Sequence, residues 1–423
     1  MGFIKTQLRK NKVLLKDNLI LFVTIFLANL INYFFHFYVG RTLGPEDYGV
    51  FGVLLSLVYI IVFPLMAIQT TISKFVAELN IHKEKEKIAY LFSKSFKKIG
   101  LVGLGIGVIF ILLSPLLASF LKIDVVSPLI ILGISIVFAF LIPILRGLLQ
   151  GLQNFRLLGI TFISESLTKL FIGVPLIYLG FGVNGAIGGF ALSFFIPLLV
   201  LFYFIRGFFR DVKEKFNTSQ IYRYSFPVLI MLLSLTGFYT LDIILVKRFF
   251  NPIDAGYYAA LSLLGKVIFF ASMSIAMVMF PKVSEFASQN KNSKSLLMKS
   301  LLIVLGLGLV ASLFYFSIPN FIIGLLFGKD YLIIAPLLGL FGIVMTVYSL
   351  VYVLSYYLIA LNKNKFLYIL IFFNLIEVGL ISIFHENLMS VVISLISVMV
   401  LLFLSLIAYT IKNDKSINNY SGI

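Results

Sequence analysis

Apolar and polar positions along this chain are grouped on the scale of a lipid bilayer, not of a soluble amphipathic helix. Twelve predominantly apolar runs are separated by short polar segments, at about 17–39, 48–72, 99–121, 127–149, 157–179, 183–205, 224–246, 256–279, 299–320, 331–359, 367–385 and 388–411. About 20 apolar residues form a helix long enough to cross a hydrocarbon layer of about 30 Å, with its backbone polar groups satisfied internally. The pattern therefore predicts twelve membrane-spanning helices. Pro64, Pro143, Pro175 and Pro197 fall inside these runs. A proline removes an N–H and crowds the preceding turn, so kinked spans are expected. The tenth run is long enough to tilt or break.

One stretch occurs twice. Val39–Ser56, VGRTLGPEDYGVFGVLLS, lies over Val246–Leu263, VKRFFNPIDAGYYAALSL, at an offset of 207 positions. Val39/Val246, Arg41/Arg248, Pro45/Pro252, Asp47/Asp254, Gly49/Gly256 and Leu54/Leu261 are identical. Chance produces Leu and Val matches easily in an apolar chain, but not Arg, Pro, Asp and Gly in one register. Val76 and Glu78 fall on Val283 and Glu285 at the same offset, and the turns Gly151–Phe155 and Ala360–Phe366 correspond loosely. The expectation is a duplicated unit: a six-helix lobe over 1–205, a basic cytoplasmic linker over 206–223 and a second six-helix lobe over 224–423. An even number of spans gives both halves the same orientation, related by a pseudo-two-fold axis along the membrane normal. Within the repeat, Gly44–Gly49 reads as a tight turn into a helix, with Asp47 as its N-cap.

Composition agrees with a polytopic membrane protein. The chain is 61% hydrophobic and 12% charged, with a mean hydropathy of +1.08, too apolar for a soluble surface. Its net charge of +17 gives an orientation. With the N-terminus inside, 27 of the 34 Lys and Arg residues lie in cytoplasmic segments and five outside, the asymmetry that sets membrane topology. Both termini are therefore expected in the cytoplasm. That charge serves orientation and attraction to anionic lipid headgroups, so no nucleic-acid partner is implied. Lys5, Arg9, Lys10, Lys12 and Lys16 precede the first run without a small-residue cleavage site, which reads as a retained span. The absence of cysteine excludes a thiol nucleophile, a disulfide and a Cys-ligated metal.

The segment Arg41–Gly52 (RTLGPEDYGVFG), twelve spans in two like halves and short loops throughout resemble the polysaccharide transporter (Wzx-type) flippases of the multidrug/oligosaccharidyl-lipid/polysaccharide (MOP) exporter superfamily. The resemblance covers essentially the whole chain. It implies an all-α, MATE-like fold whose two lobes enclose a cavity lined by spans 1, 2, 7 and 8 and work by alternating access. It further implies a cell-membrane flippase, functioning as a monomer among membrane lipids, whose partner is lipid-linked oligosaccharide on a polyprenyl phosphate or pyrophosphate. No cofactor is implied; Na⁺ or H⁺ is the possible coupling ion. A cation-coupled multidrug exporter of the same fold is the alternative. From another class, a membrane-embedded glycan polymerase or transferase is the competitor, but the short outer connections carry no His/Asp/Glu cluster, and there is no P-loop to bind ATP.

Five ionisable residues fall inside runs: Glu165, Lys169, Asp242, Lys266 and Glu377. Each is expensive in hydrocarbon, about 2.5–3.5 kcal/mol on insertion scales, and must face protein or water. Lys266 has no acidic residue within one turn of sequence. It is a candidate for an anionic phosphate, or else a structural partner of Asp242. Glu165 and Lys169, four apart, form a local and largely self-neutralising pair. Asp242 and Glu377 are candidates for cation coupling, and Glu165 and Lys169 weaker ones; Asp242 could equally neutralise Lys266 or Arg248. Asn29, Asn32 and His36 form one polar stripe on span 1, suited to sugar hydroxyls, a phosphate or interhelical hydrogen bonding. Gln69 extends this polar surface on span 2. Arg41 and Arg248 either meet a headgroup at the outer leaflet or cap their helix C-termini.

Overall fold

The computed structural model describes residues 2–209, 219–289 and 291–420. Residues 210–218 of the expected linker lie outside the described residues, as do the side chains of Lys5, Arg9, Lys10, Lys12 and Lys16. Among the described residues every regular element is helical. In chain order these are α1 (Gly2–Val62), α2 (Met66–Ile81), α3 (Lys85–Leu121), α4 (Ser127–Gly151), α5 (Phe155–Thr168), α6 (Val174–Leu176), α7 (Gly182–Ile205), α8 (Ser219–Gly237) and α9 (Leu241–Phe249). They are followed by α10 (Pro252–Ser288), α11 (Lys294–Ser317), α12 (Pro319–Leu326), α13 (Ala335–Ala360), α14 (Phe366–Ile383) and α15 (Leu388–Tyr420).

Among the described residues, ten helical stretches are long and apolar enough to cross a membrane. Two of them, Val23–Ile81 and Phe155–Phe204, are 59 and 50 residues long, about 88 and 75 Å at 1.5 Å per residue. Each contains a break where glycine takes a backbone conformation that side-chain-bearing residues rarely adopt. Gly44 (φ 76, ψ 176) interrupts the first, and Gly180 (φ 90) with Gly182 (φ 52) the second. At the first break Gly44 occupies the cap position and Pro45 opens the following helix, where its missing N–H is harmless. Asp47 is therefore not the N-cap; it lies within the first turn, where a carboxylate favours the positive end of the helix dipole. The second copy uses a side chain instead. Asn251 caps α10, its oxygen accepting from the Asp254 backbone N–H at 2.8 Å, with Pro252 as the first helical residue.

Of Pro64, Pro143, Pro175 and Pro197, only two mark a departure from α-helix. Pro64 sits in the 3₁₀ turn Phe63–Leu65, and Pro175 lies between the π-helical segments Lys169–Gly173 and Ile177–Phe181. Pro143 and Pro197 are carried inside unbroken α4 and α7, since one missing hydrogen bond is tolerated where neighbouring groups satisfy the freed carbonyl. The tenth run does not break within its helix. Its extra length is the 3₁₀ turn Lys329–Ile334 that precedes α13. The seventh run, with no internal break expected, is the one that opens: α8 stops at Gly237 and α9 starts at Leu241.

The chain separates into two compact units, Met1–Leu43 with Ile61–Leu229, and Gly44–Ile60 with Ile230–Ile423. In the first, α4 is central, packed against α2, α3 and α7. Glycine lets α3 and α4 approach closely: a β-carbon on Gly107 would stand 2.8 Å from the Gly133 carbonyl oxygen. In the second, α13 takes the same role against α10, α11 and α15 and is buried along most of its length. The turns that follow these two helices use the same device. Gln153 (φ 58) and Asn362 (φ 56) both adopt the left-handed conformation.

Candidate functional site

The opening in the seventh run is the most unusual backbone feature of the second unit. Between α8 and α9 the chain turns at Phe238–Thr240, which frees carbonyls that a continuous helix would satisfy. The Leu235 carbonyl is one of these, and side chains from other helices brace the segment. Asn374 of α14 donates to the Ser234 carbonyl at 3.1 Å, and Tyr348 of α13 donates to the Leu235 carbonyl at 3.0 Å. Thr240 donates its hydroxyl to the Thr236 carbonyl at 2.7 Å. Gly237 leaves room for Asn374; a β-carbon there would collide with its side-chain oxygen.

The broken segment presents two polar side chains to the interior. Asp242, in the first turn of α9, is fully buried. One of its oxygens accepts from the Ile243 N–H at 2.8 Å. The other accepts from the Tyr258 hydroxyl of α10, also at 2.8 Å. Tyr239, in the turn itself, offers its ring face to the Lys266 ammonium, 5.2 Å from the ring centroid. Lys266 is 5% exposed, and among the described residues it forms no ion pair or hydrogen bond. Asp242 acts on it electrostatically but is not a direct partner. Glu377 of α14 is also fully buried, and neither carboxylate oxygen has a hydrogen-bond partner among the described residues. It lies within electrostatic reach of Asp242. Two carboxylates and one ammonium thus share an interior region, with the ammonium and one carboxylate unsatisfied. Such groups are costly unless a ligand or ion completes them.

A second polar cluster lies in the first unit. Glu165 of α5 bridges two cations: Arg146 of α4 at 2.7 Å and Lys169 at 2.9 Å. The Arg146 guanidinium also donates to the Thr161 hydroxyl at 3.0 Å and its carbonyl at 3.3 Å, and stacks over Phe162. Lys169 donates to the side-chain oxygen of Asn32 at 3.3 Å and lies over the Phe190 ring. The expected Glu165–Lys169 pair is therefore present but is not self-contained. With Arg146 the cluster has two cations to one anion. Arg146 counts among the cytoplasmic charges by position, yet its side chain is only 12% exposed.

The remaining candidates are dispersed. Of the span 1 stripe, only Asn32 joins the charged cluster; Asn29 is exposed and His36 is half-buried with its ring beside Phe35. Gln69 donates to Gln150 at 3.2 Å. Arg41 is exposed in the first unit and Arg248 half-buried in the second. Arg146, Tyr239, Tyr258 and Asn374 were not candidates from sequence. A polar residue in an apolar run was the only available signal for Arg146 and Asn374. Nothing distinguished Tyr239 and Tyr258 among 21 tyrosines.

Comparison with known proteins gives the family and the fold. The model of the family described as polysaccharide biosynthesis protein matches residues 14–287. No curated protein sequence matches significantly. Among solved structures, an inward-facing multidrug resistance MATE family transporter of the MOP superfamily superposes with a TM-score of 0.76 at 16% identity, covering 92% of this chain and 96% of that one. The lipid II flippase MurJ in an inward closed conformation gives 0.72 at 16% identity, covering 93% and 87%. A MOP superfamily transporter from Pyrococcus furiosus, described as having a binding pocket of reverse polarity, gives 0.67 at 16% identity, covering 93% and 95%.

Proposed function

The chain belongs to the polysaccharide biosynthesis protein family, and on that premise we propose that it is a flippase for lipid-linked oligosaccharide, working by alternating access. It is a multi-pass membrane protein with a MATE-like, MOP-superfamily fold, and its family and fold are those of transporters. A polymerase or transferase is set aside on that ground. We read the broken stretches Val23–Ile81 and Phe155–Phe204 as two crossings each, which makes twelve spans in two six-helix lobes. Both termini are cytoplasmic in this reading, on the strength of the Lys and Arg asymmetry.

The observation that carries the proposal is Lys266. A buried ammonium without a carboxylate partner, resting on an aromatic face at a broken helix, is suited to a polyprenyl phosphate or pyrophosphate headgroup. Phosphate oxygens would provide the charge-assisted hydrogen bonds that the protein does not. Asp242 and Glu377 provide one carboxyl group more than Lys266 could pair with, which suits uptake of Na⁺ or H⁺ in exchange for the headgroup. The Arg146–Glu165–Lys169 cluster is satisfied internally and has a structural role in this reading, with Asn32. Arg248, half-buried in the same unit as Lys266, is a secondary substrate contact in this reading, and Asn29, His36, Gln69 and Arg41 stay candidates of the first unit by themselves.

The test is translocation of polyprenyl-pyrophosphate oligosaccharide in proteoliposomes. Wild type should move the lipid, Lys266→Ala should lose movement, and Lys266→Arg should keep part of it. Wild type that moves no glycolipid but exchanges an organic cation for Na⁺ or H⁺ would favour the second reading, a multidrug exporter. The acidic excess at Asp242 and Glu377 and the MATE-like fold are the observations behind that alternative.

A further inference from the structure

On α13, Tyr348, Tyr352 and Tyr356 are spaced four apart and so lie along one side of the helix. Phe269 of α10 packs between them and the broken span, with ring centroids 4.9 Å from Tyr348, 5.1 Å from Tyr352 and 5.7 Å from Tyr239. Tyr352 and Tyr356 are 4.6 Å apart, and Phe280 of α10 meets Tyr356 edge-on at 5.9 Å. Aromatic ring contacts thus run without interruption from the Lys266 ammonium over Tyr239 to Tyr356. The eight steps from Tyr348 to Tyr356 span about 12 Å of helix.

Burial decreases along this stripe. Tyr348 is 1% exposed and Tyr352 5%, whereas Tyr356 and Phe280 are half-buried. The hydroxyls differ in the same order. Tyr348 donates to the backbone of the broken span, and Tyr352 donates to Tyr356 at 3.0 Å. Among the described residues, Tyr356 receives that bond and donates none. The deep end of the stripe is structure, and the open end carries a spare donor.

We propose that Tyr352 and Tyr356, with Phe280, form a docking subsite for a pyranose ring of the transported glycan, on the cytoplasmic side of Lys266. The subsite rests on the flippase reading, because it binds the sugar of a lipid whose phosphate reaches Lys266. A sugar presents both chemistries the stripe can use: C–H faces that pack on aromatic rings, and hydroxyls that accept from and donate to phenols. A prenyl tail would leave the Tyr356 donor unsatisfied, which is unfavourable once water is excluded. The polarity also fits. In the proposed topology α13, which follows the turn Lys329–Ile334 and ends at Ala360, runs from the outer to the cytoplasmic side, so Tyr356 stands toward the side on which a glycolipid is loaded.

The chain contains no tryptophan, so Tyr356→Trp introduces a single reporter at the subsite. The probes are liposomes carrying polyprenyl pyrophosphate linked to N-acetylglucosamine and liposomes carrying the same polyprenyl pyrophosphate without sugar, each presented to the purified full chain. The tryptophan emission should shift with the glycosylated lipid alone. Tyr356→Ala should weaken binding of the glycosylated lipid about tenfold, the loss expected for one stacked, hydrogen-bonded ring, and leave the bare lipid unaffected. The conservative Tyr356→Phe, which keeps the ring, should show a smaller loss with the same selectivity. Lys266→Ala should weaken both lipids. Equal responses of the reporter to the two lipids, or wild-type binding of the glycosylated lipid by Tyr356→Ala, would overturn the subsite while leaving Lys266 in place. Failure of wild type to bind either lipid would overturn the flippase reading and the subsite together.

Discussion

Gly49 and Gly256, equivalent positions of the two repeat copies, lie against each other. A β-carbon on Gly49 would stand 2.7 Å from the backbone nitrogen of Gly256, and one on Gly256 would overlap the Pro45 carbonyl. The duplicated turn therefore meets its own copy within the second unit, which holds both Gly44–Ile60 and the start of α10. Close backbone approach at glycine is the usual route to tight helix contact where hydrophobic burial no longer distinguishes protein from lipid.

Gly256→Ala is expected to destabilise the fold by about 1–3 kcal/mol, the range for overpacking a close contact. Thermal unfolding in detergent measures it. Gly306→Ala is the control, since nothing lies within 4 Å of a β-carbon there. Equal melting of the two variants would mean that the Gly49–Gly256 contact carries no stability.

Glu165 stands between two cations, so losing it is worse than losing either one. Glu165→Gln leaves Arg146 and Lys169 as uncompensated buried charges, at about 3 kcal/mol. Arg146→Met keeps the Lys169–Glu165 pair and should be less damaging. If Glu165→Gln is combined with Arg146→Met, the loss should be smaller than the sum of the two single losses, because the second change removes a charge the first one strands. Additive losses in a double-mutant cycle would reject the network.

Glu377 makes the opposite kind of case. Its oxygens are buried without hydrogen bonds, so Glu377→Leu should leave thermal stability unchanged or raise it by about 1 kcal/mol or more. If Glu377 takes part in ion uptake, added Na⁺ or acid should protect wild type from unfolding and should not protect the variant. A Glu377→Leu protein that unfolds markedly earlier than wild type would show that the carboxylate has partners in the fold.

The orientation is open to direct labelling because the chain has no cysteine. Lys329 and Lys365 are both exposed and stand at opposite ends of the stretch containing α13. In intact cells Lys329→Cys should react with a membrane-impermeant maleimide and Lys365→Cys should not. The reverse pattern would invert the proposed topology.

The membrane class, the approximate spans and the duplicated turn were legible from sequence because each depends on local physics. Hydropathy over about 20 residues decides whether a segment enters a bilayer, and proline, glycine and asparagine decide where a turn is possible. The family likeness in Arg41–Gly52 belongs to the same level, and the family match over residues 14–287 agrees with it. Partnership was not legible. A span that is apolar on every side carries no periodic signal of which face meets protein. Sequence therefore could not foresee that Arg146 would join Glu165, or that Lys266 would rest on Tyr239 instead of pairing with Asp242. Nor did any proline or second glycine announce the opening at Phe238–Thr240. That opening is held by Tyr348 and Asn374, more than a hundred residues further along the chain. Freed backbone groups in an apolar interior persist only where distant side chains satisfy them, and that pairing exists only in the tertiary structure.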